Sequence, residues 1–170
     1  MRKPPAEKSA GGFCLSAGRV PLWFRHIRGV EKGKQMDLHA TGAFDVSMKP
    51  DGTPDVADNT TLGMMLLDKR FHGPLDAVGK GRMLTAMTGV EGSAVYVAVE
   101  RVAGTLDGRQ GSFVLRHVGT MDRGHQHLSI SVVPDSGNGA LTGITGEMQI
   151  KITNGNHFYD FNYSLPGQGE

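Results

Sequence analysis

The dipeptide Asp107-Gly108 stands between two runs of alternating residues, Ala94–Leu106 and Gly111–Met121. It is the strongest short-range hairpin signal in the chain. A two-residue turn there has a wider consequence, because it fixes which residues share a face. Leu106 then faces Arg109, and pairing runs outward to Val102 with Phe113, Glu100 with Leu115 and Ala98 with His117. Residues i and i+2 lie on the same side of a strand. One face therefore carries Tyr96, Ala98, Glu100, Val102, Phe113, Leu115 and His117. The other carries Val95, Val97, Val99, Arg101, Val114, Arg116 and Val118. The aromatic face is expected to point inward, because a barrel interior needs bulk.

The same reasoning extends over the rest of the chain. Leu38–Met48 reads as a strand, followed by the turn-rich Lys49–Asn59. Leu62–His72 and Leu75–Leu84 join at Gly73-Pro74. Gln126–Val133, Glu147–Thr153 and His157–Leu165 complete the set, with Asn154-Gly155 as the last turn. Between Gln126–Val133 and Glu147–Thr153 lies the Gly/Ser/Thr-rich stretch Asp135–Gly146, in which Leu141–Thr145 suits a short turn. About eight strands at this spacing define an all-β fold, a sandwich or a small closed antiparallel barrel. Alternation buries Met65, Leu67 and Phe71, and carries Lys69 in with them. It also buries Leu128, Ile130 and Val132 on one strand, and Met148, Ile150 and Ile152 with Tyr159, Phe161 and Tyr163 on the last hairpin.

Charge separates the chain into two parts. Residues 1–35 carry a net +6 and residues 36–170 a net −5. The acidic body argues against nucleic acid as a partner. Residues 1–35 show neither helical nor strand periodicity. They are expected to form an unstructured basic extension, with the barrel domain, and the natural start, at Met36. No run approaches the ~20 apolar residues of a membrane helix. The lone Cys14 excludes an intrachain disulfide and fits a cytoplasmic protein.

Parity gathers Lys69, Tyr96, Glu100, His117, Tyr159 and Tyr163 on interior faces. A Lys69–Glu100 ion pair with tyrosine hydroxyls nearby would satisfy the buried charges. Two readings are open. In one, Glu100, His117 and Tyr96 are acid/base groups beside an apolar pocket lined by Lys69, Phe71, Phe113, Leu115, Tyr159, Phe161 and Tyr163. In the other, the cluster is a network that closes one end of the barrel. Small inward residues (Ala77, Gly79, Gly81 and Ala98) suggest space, whereas the aromatic residues suggest filling. No cofactor or metal is expected. His125-x-His127 has ligand spacing but lies beside a turn, and Asp51-Gly-Thr-Pro-Asp55 lacks the remaining positions of a calcium loop. The row Val95, Val97, Val99, Val114 and Val118, if outward, would be a large apolar patch and points to a homo-oligomer.

Several stretches also carry a family resemblance. They are Leu67-Asp-Lys-Arg-Phe-His-Gly73, Met83-Leu-Thr-Ala-Met87, Tyr96-Val-Ala-Val-Glu-Arg101, Gly104-Thr-Leu-Asp-Gly-Arg109, Gly111-Ser-Phe-Val-Leu-Arg-His117, Val133-Pro-Asp-Ser-Gly137 and His157-Phe-Tyr-Asp-Phe161. Over Asp37–Leu165 the chain resembles the uncharacterised bacterial family called domain of unknown function 3224. That resemblance implies an eight-stranded barrel similar to allene oxide cyclase and dirigent proteins. It implies no reaction and no catalytic residues. Two classes of function are therefore expected: a pocket for a small apolar ligand, as a carrier or a cofactor-free isomerase or cyclase, or a non-enzymatic oligomeric barrel with a filled interior. A cavity of ~300 Å³ or more separates them.

Overall fold

The computed structural model describes residues 35–167, and all of its long elements are strands. In chain order these are β1 (Gln35–Pro50), β2 (Asp55–Ala57), β3 (Thr60–Phe71), β4 (Leu75–Thr88), β5 (Ala94–Leu106), β6 (Arg109–Asp122), β7 (His125–Val132), β8 (Asn138–Gly139), β9 (Thr145–Thr153) and β10 (Asn156–Pro166). Eight of them pair in the order β1-β10-β9-β7-β6-β5-β4-β3, and β3 returns to β1, so the antiparallel sheet closes on itself. Of the sandwich and the barrel left open by the alternation, the closed eight-stranded barrel, which the family resemblance implies, is the one present. Two strand pieces, β2 on the edge of β3 and β8 on β6, were not legible in the pattern. The extension expected for residues 1–35 lies outside the described residues, except that Gln35 opens β1 opposite Pro166.

Four two-residue turns set the register. Asp58-Asn59, Asp107-Gly108, Arg123-Gly124 and Asn154-Gly155 all have positive φ at both positions. That is the mirror-image turn whose twist matches paired strands. The Asp107-Gly108 turn gives the expected pairs, Val102 with Phe113, Glu100 with Leu115 and Ala98 with His117. The inward face is also as expected, with Ala98, Glu100, Val102, Phe113, Leu115 and His117 all buried. The valine face is outward, and Val95, Val97 and Val99 are exposed.

The two ends of the barrel differ. At the base, Asp107 N donates to the Pro74 carbonyl at 2.8 Å, joining two of the turns, and the segment between β7 and β9 pairs with β6 through β8. That segment folds Leu141 and Ile144 under the barrel, each 1% exposed. Above this plug, Phe113, Phe161 and Tyr163 stack with centroids 5.6 and 5.1 Å apart. Phe71 packs on Phe44 at 5.5 Å and edge-on to Tyr159 at 5.8 Å. Such aromatic packing adds to the area that each ring buries. The opposite end, the mouth, is formed by the β4–β5, β6–β7 and β9–β10 turns.

Two expected core positions lie at this mouth instead. Ile152 is 64% and Leu128 39% exposed. Both have inward parity, but each sits toward the mouth end of its strand, where water reaches it. Phe161→Ala is expected to cost about 3–5 kcal/mol, since it empties the centre of the core. Ile152→Ala should stay within about 0.5 kcal/mol, as for other exposed positions. Urea denaturation of the two variants checks the assignment.

Candidate functional site

Lys69, Glu100 and His117 come together inside the barrel, from β3, β5 and β6. Lys69 Nζ donates to Glu100 Oε2 at 2.8 Å. The ammonium also lies 5.2 Å from the Phe44 ring and 5.7 Å from the Phe71 ring, within cation–π range. His117 Nε2 stands 3.0 Å from the same oxygen, near enough for electrostatic attraction but poorly directed as a hydrogen bond. Glu100 is fully buried.

Burial opposes the charge on Glu100, but the His117 contact and the Lys69 ammonium outweigh it and hold the carboxyl below its ordinary value. The strand between Lys69 and Glu100 is β4, and it passes through the gap as Gly79. A Cβ there would fall 1.9 Å from Glu100 Oε1. The small inward residue expected to leave space is therefore the seat of the carboxylate. Among the described residues, no group donates a hydrogen bond to Oε1.

The tyrosines part company with this cluster. Tyr159 O–H donates to the His72 carbonyl at 3.0 Å and accepts from Leu75 N at 3.1 Å. Tyr163 O–H donates to Asp107 Oδ2. Both tie strands to turns at the base. Burial raises the pKa of each; the Asp107 hydrogen bond adds to the rise at Tyr163. The expectation of tyrosine hydroxyls beside the Lys69–Glu100 pair is thus corrected, because parity fixes a face and not a height along the barrel. Phe71, Phe113, Leu115 and Phe161 are packed into the core beneath.

Above the charged cluster the barrel opens into a cavity of about 400 Å³, within the range of ligand sites. Its wall is made largely of thioethers: Met48, Met65, Met83, Met87 and Met121. These are five of the nine methionines in the chain. Ala94, Gly119 and Leu128 add apolar surface, and Thr85, Tyr96, Thr120, Gln126 and His127 add the polar groups. Of the site residues expected from the sequence, Tyr96 alone lines it. Glu100 and His117 do not. Tyr96 lies against Gly119, its partner on β6, where a Cβ would fall 2.1 Å from ring atom Cε1. The glycine leaves the room that the Tyr96 ring occupies on the inward face. Burial raises the Tyr96 hydroxyl above its ordinary pKa, so it is a neutral hydrogen-bonding group at physiological pH.

The methionine wall was missed, although its signal was present. Met65 was already expected inside, and Met48, Met83 and Met121 lie at inward parity within the expected strands; Met87 alone lies beyond one, three residues past Leu84. His125 and His127 are both exposed. Among the described residues, no group of three His, Cys, Asp or Glu side chains is placed to hold a metal ion.

The ion pair sets two expectations. Glu100→Gln leaves Lys69 buried without its counter-charge and should cost about 3–5 kcal/mol, whereas Lys69→Met with Glu100→Leu should recover most of that loss. The lowered Glu100 pKa also fixes a pH dependence. Its contribution to stability is fully present above the unfolded-state value, near pH ~4.3, and is lost as pH falls below it through the folded value. Urea midpoints of wild type and Glu100→Gln between about pH 3 and 7 should therefore converge at the acid end.

The comparisons with known proteins agree with this architecture. No curated protein matches the chain. A crystal structure of a protein of unknown function from the DUF3224 family of Shewanella oneidensis MR-1 is 50% identical, with a TM-score of 0.72. The match covers 75% of this chain and 96% of that one. The model of the family described as "Protein of unknown function (DUF3224)" matches residues 40–163, and the chain belongs to that family.

Proposed function

We propose that the barrel is a receptor for a small, mainly apolar molecule carrying one hydrogen-bonding group, held in the methionine-lined mouth. The observation that carries this reading is the cavity of about 400 Å³ walled by five methionines. Methionine side chains are unbranched and polarisable, so they adapt to ligands of different shape. Tyr96, Thr85 and Gln126 supply the few polar contacts that would orient such a ligand.

Binding is favoured over turnover by where the ionisable groups lie. Of the three residues considered as acid/base groups, only Tyr96 reaches the cavity. Glu100 is sealed beneath it and tied to Lys69. The filled interior below the mouth supports a structural part for that cluster, which holds β3, β5 and β6 in position under the cavity floor.

The test is a fluorescence titration with N-phenyl-1-naphthylamine, an apolar probe of suitable size. Wild type should give a saturable enhancement. Met83→Lys, which puts a charge on the cavity wall, should weaken binding by about tenfold or more, equivalent to ~1.4 kcal/mol. Val78→Lys, on the outer wall, should bind as wild type does. No enhancement, or equal binding by Met83→Lys, would contradict the reading.

A further inference from the structure

The outer surface of β3, β4 and β5 is apolar where a sheet facing water is ordinarily polar. Register places Leu62, Ala86 and Val95 in one row, Met64, Leu84 and Val97 in the next, and Leu66, Arg82 and Val99 in a third. Leu62, Met64, Leu84, Val95, Val97 and Val99 are each between 40% and 59% exposed. Val118 extends the middle row onto β6, opposite Val97. The wall forms one side of a groove that the Asp51–Asp55 loop bounds on the other. Contiguous apolar patches of this kind are uncommon on proteins that stay monomeric.

We propose that this wall is an isologous interface, covered by the same wall of a second copy of the chain. Size is one argument. Four strands about 4.8 Å apart and about seven residues long project roughly 450 Å² before side-chain relief and flanking groups are counted. A standard interface buries about 800 Å² of accessible surface on each partner. Shape is a second argument, because two such sheets can pack face to face at about −30°, as in a sandwich.

Charge supplies the third argument and also the orientation. The base end of the wall carries Arg101 and Arg116. The mouth end is flanked by Asp55 and Glu91. Arg101 and Arg116 are exposed and make no ion pair among the described residues. Between the two ends Arg82 and Asp51 pair with each other at 3.6 Å. A two-fold axis running across the strands lays the basic end of each copy over the acidic end of the other. An axis along the strands would instead set arginines against arginines. Patches that pair with themselves in this way close the assembly at two copies.

Sedimentation velocity of the full chain, from about 5 to 100 μM, reads the outcome. A dimer is expected. Val97→Glu, at the centre of the wall, should shift it to monomer with the far-ultraviolet circular dichroism unchanged. Leu84→Glu, on the neighbouring strand, should do the same and guards against misfolding of one variant. Arg101→Glu should weaken the dimer about tenfold, and by less in high salt. Monomeric wild type over the whole range overturns the proposal, as does a dimer that survives both glutamate substitutions. Residues 1–34 of the same chain are the competing cover. A monomer in which Met64 resists oxidation while Val97→Glu exposes it would assign the wall to them, and the two-copy interface would be wrong.

Discussion

The Lys69–Glu100 pair is the constraint on which the barrel interior depends. A fully buried carboxylate is tolerated only where a counter-charge reaches it. Here the counter-charge comes from two strands away, and the strand between must have no side chain at the crossing. Gly79 meets that need, Phe44 and Phe71 wall the ammonium, and His117 closes the far side. These requirements interlock, so a single substitution at any of them disturbs the rest. They also explain why the middle of the barrel is solid. An eight-stranded barrel is just wide enough for side chains to fill it. This one fills its middle with a charged cluster resting on stacked aromatic rings.

Above that layer the chemistry changes. The inward positions of β3, β4 and β6 pass from Lys69, Gly79 and His117 to Met65, Met83 and Met121. Rigid, paired groups give way to flexible thioethers, and packed core gives way to cavity. The charged layer forms a firm floor, while the methionine layer can conform to what it receives. The weakest part of the closure is the seam between β7 and β9, registered only at Ile130–Met148 and Ser131–Glu147. It lies beside the segment that carries Leu141 and Ile144 beneath the core, so the plug and the seam support each other.

Much of this was legible in the sequence because two-residue turns convert order along the chain into parity. Asp107-Gly108 and Asn154-Gly155 sufficed to put Glu100, His117, Phe113, Tyr159 and Phe161 inside. What parity does not convey is height and partner. Tyr159 and Tyr163 share the inward face with the charged cluster yet serve the base, and Ile152 shares it yet lies at the rim. Gly79 reads as empty space until the neighbour that occupies it is known. The mouth itself went unread because β4 runs on past its expected end at Leu84, through Thr85 and Met87, and because methionines recurring at inward parity on several strands were not read together as one lining.

The central claim is that the barrel is closed at its middle and receptive at its mouth, and the methionine methyl groups report on both. Carbon-13 methyl spectra of methionine-labelled protein, titrated with N-phenyl-1-naphthylamine, give the most direct measurement. The account predicts shifts at Met48, Met65, Met83, Met87 and Met121, with Met148 in the core and Met64 on the outer wall unmoved. Shifts at Met148 would mean that the interior is open to ligands, and shifts confined to Met64 would place binding outside the barrel. Either result would contradict the account.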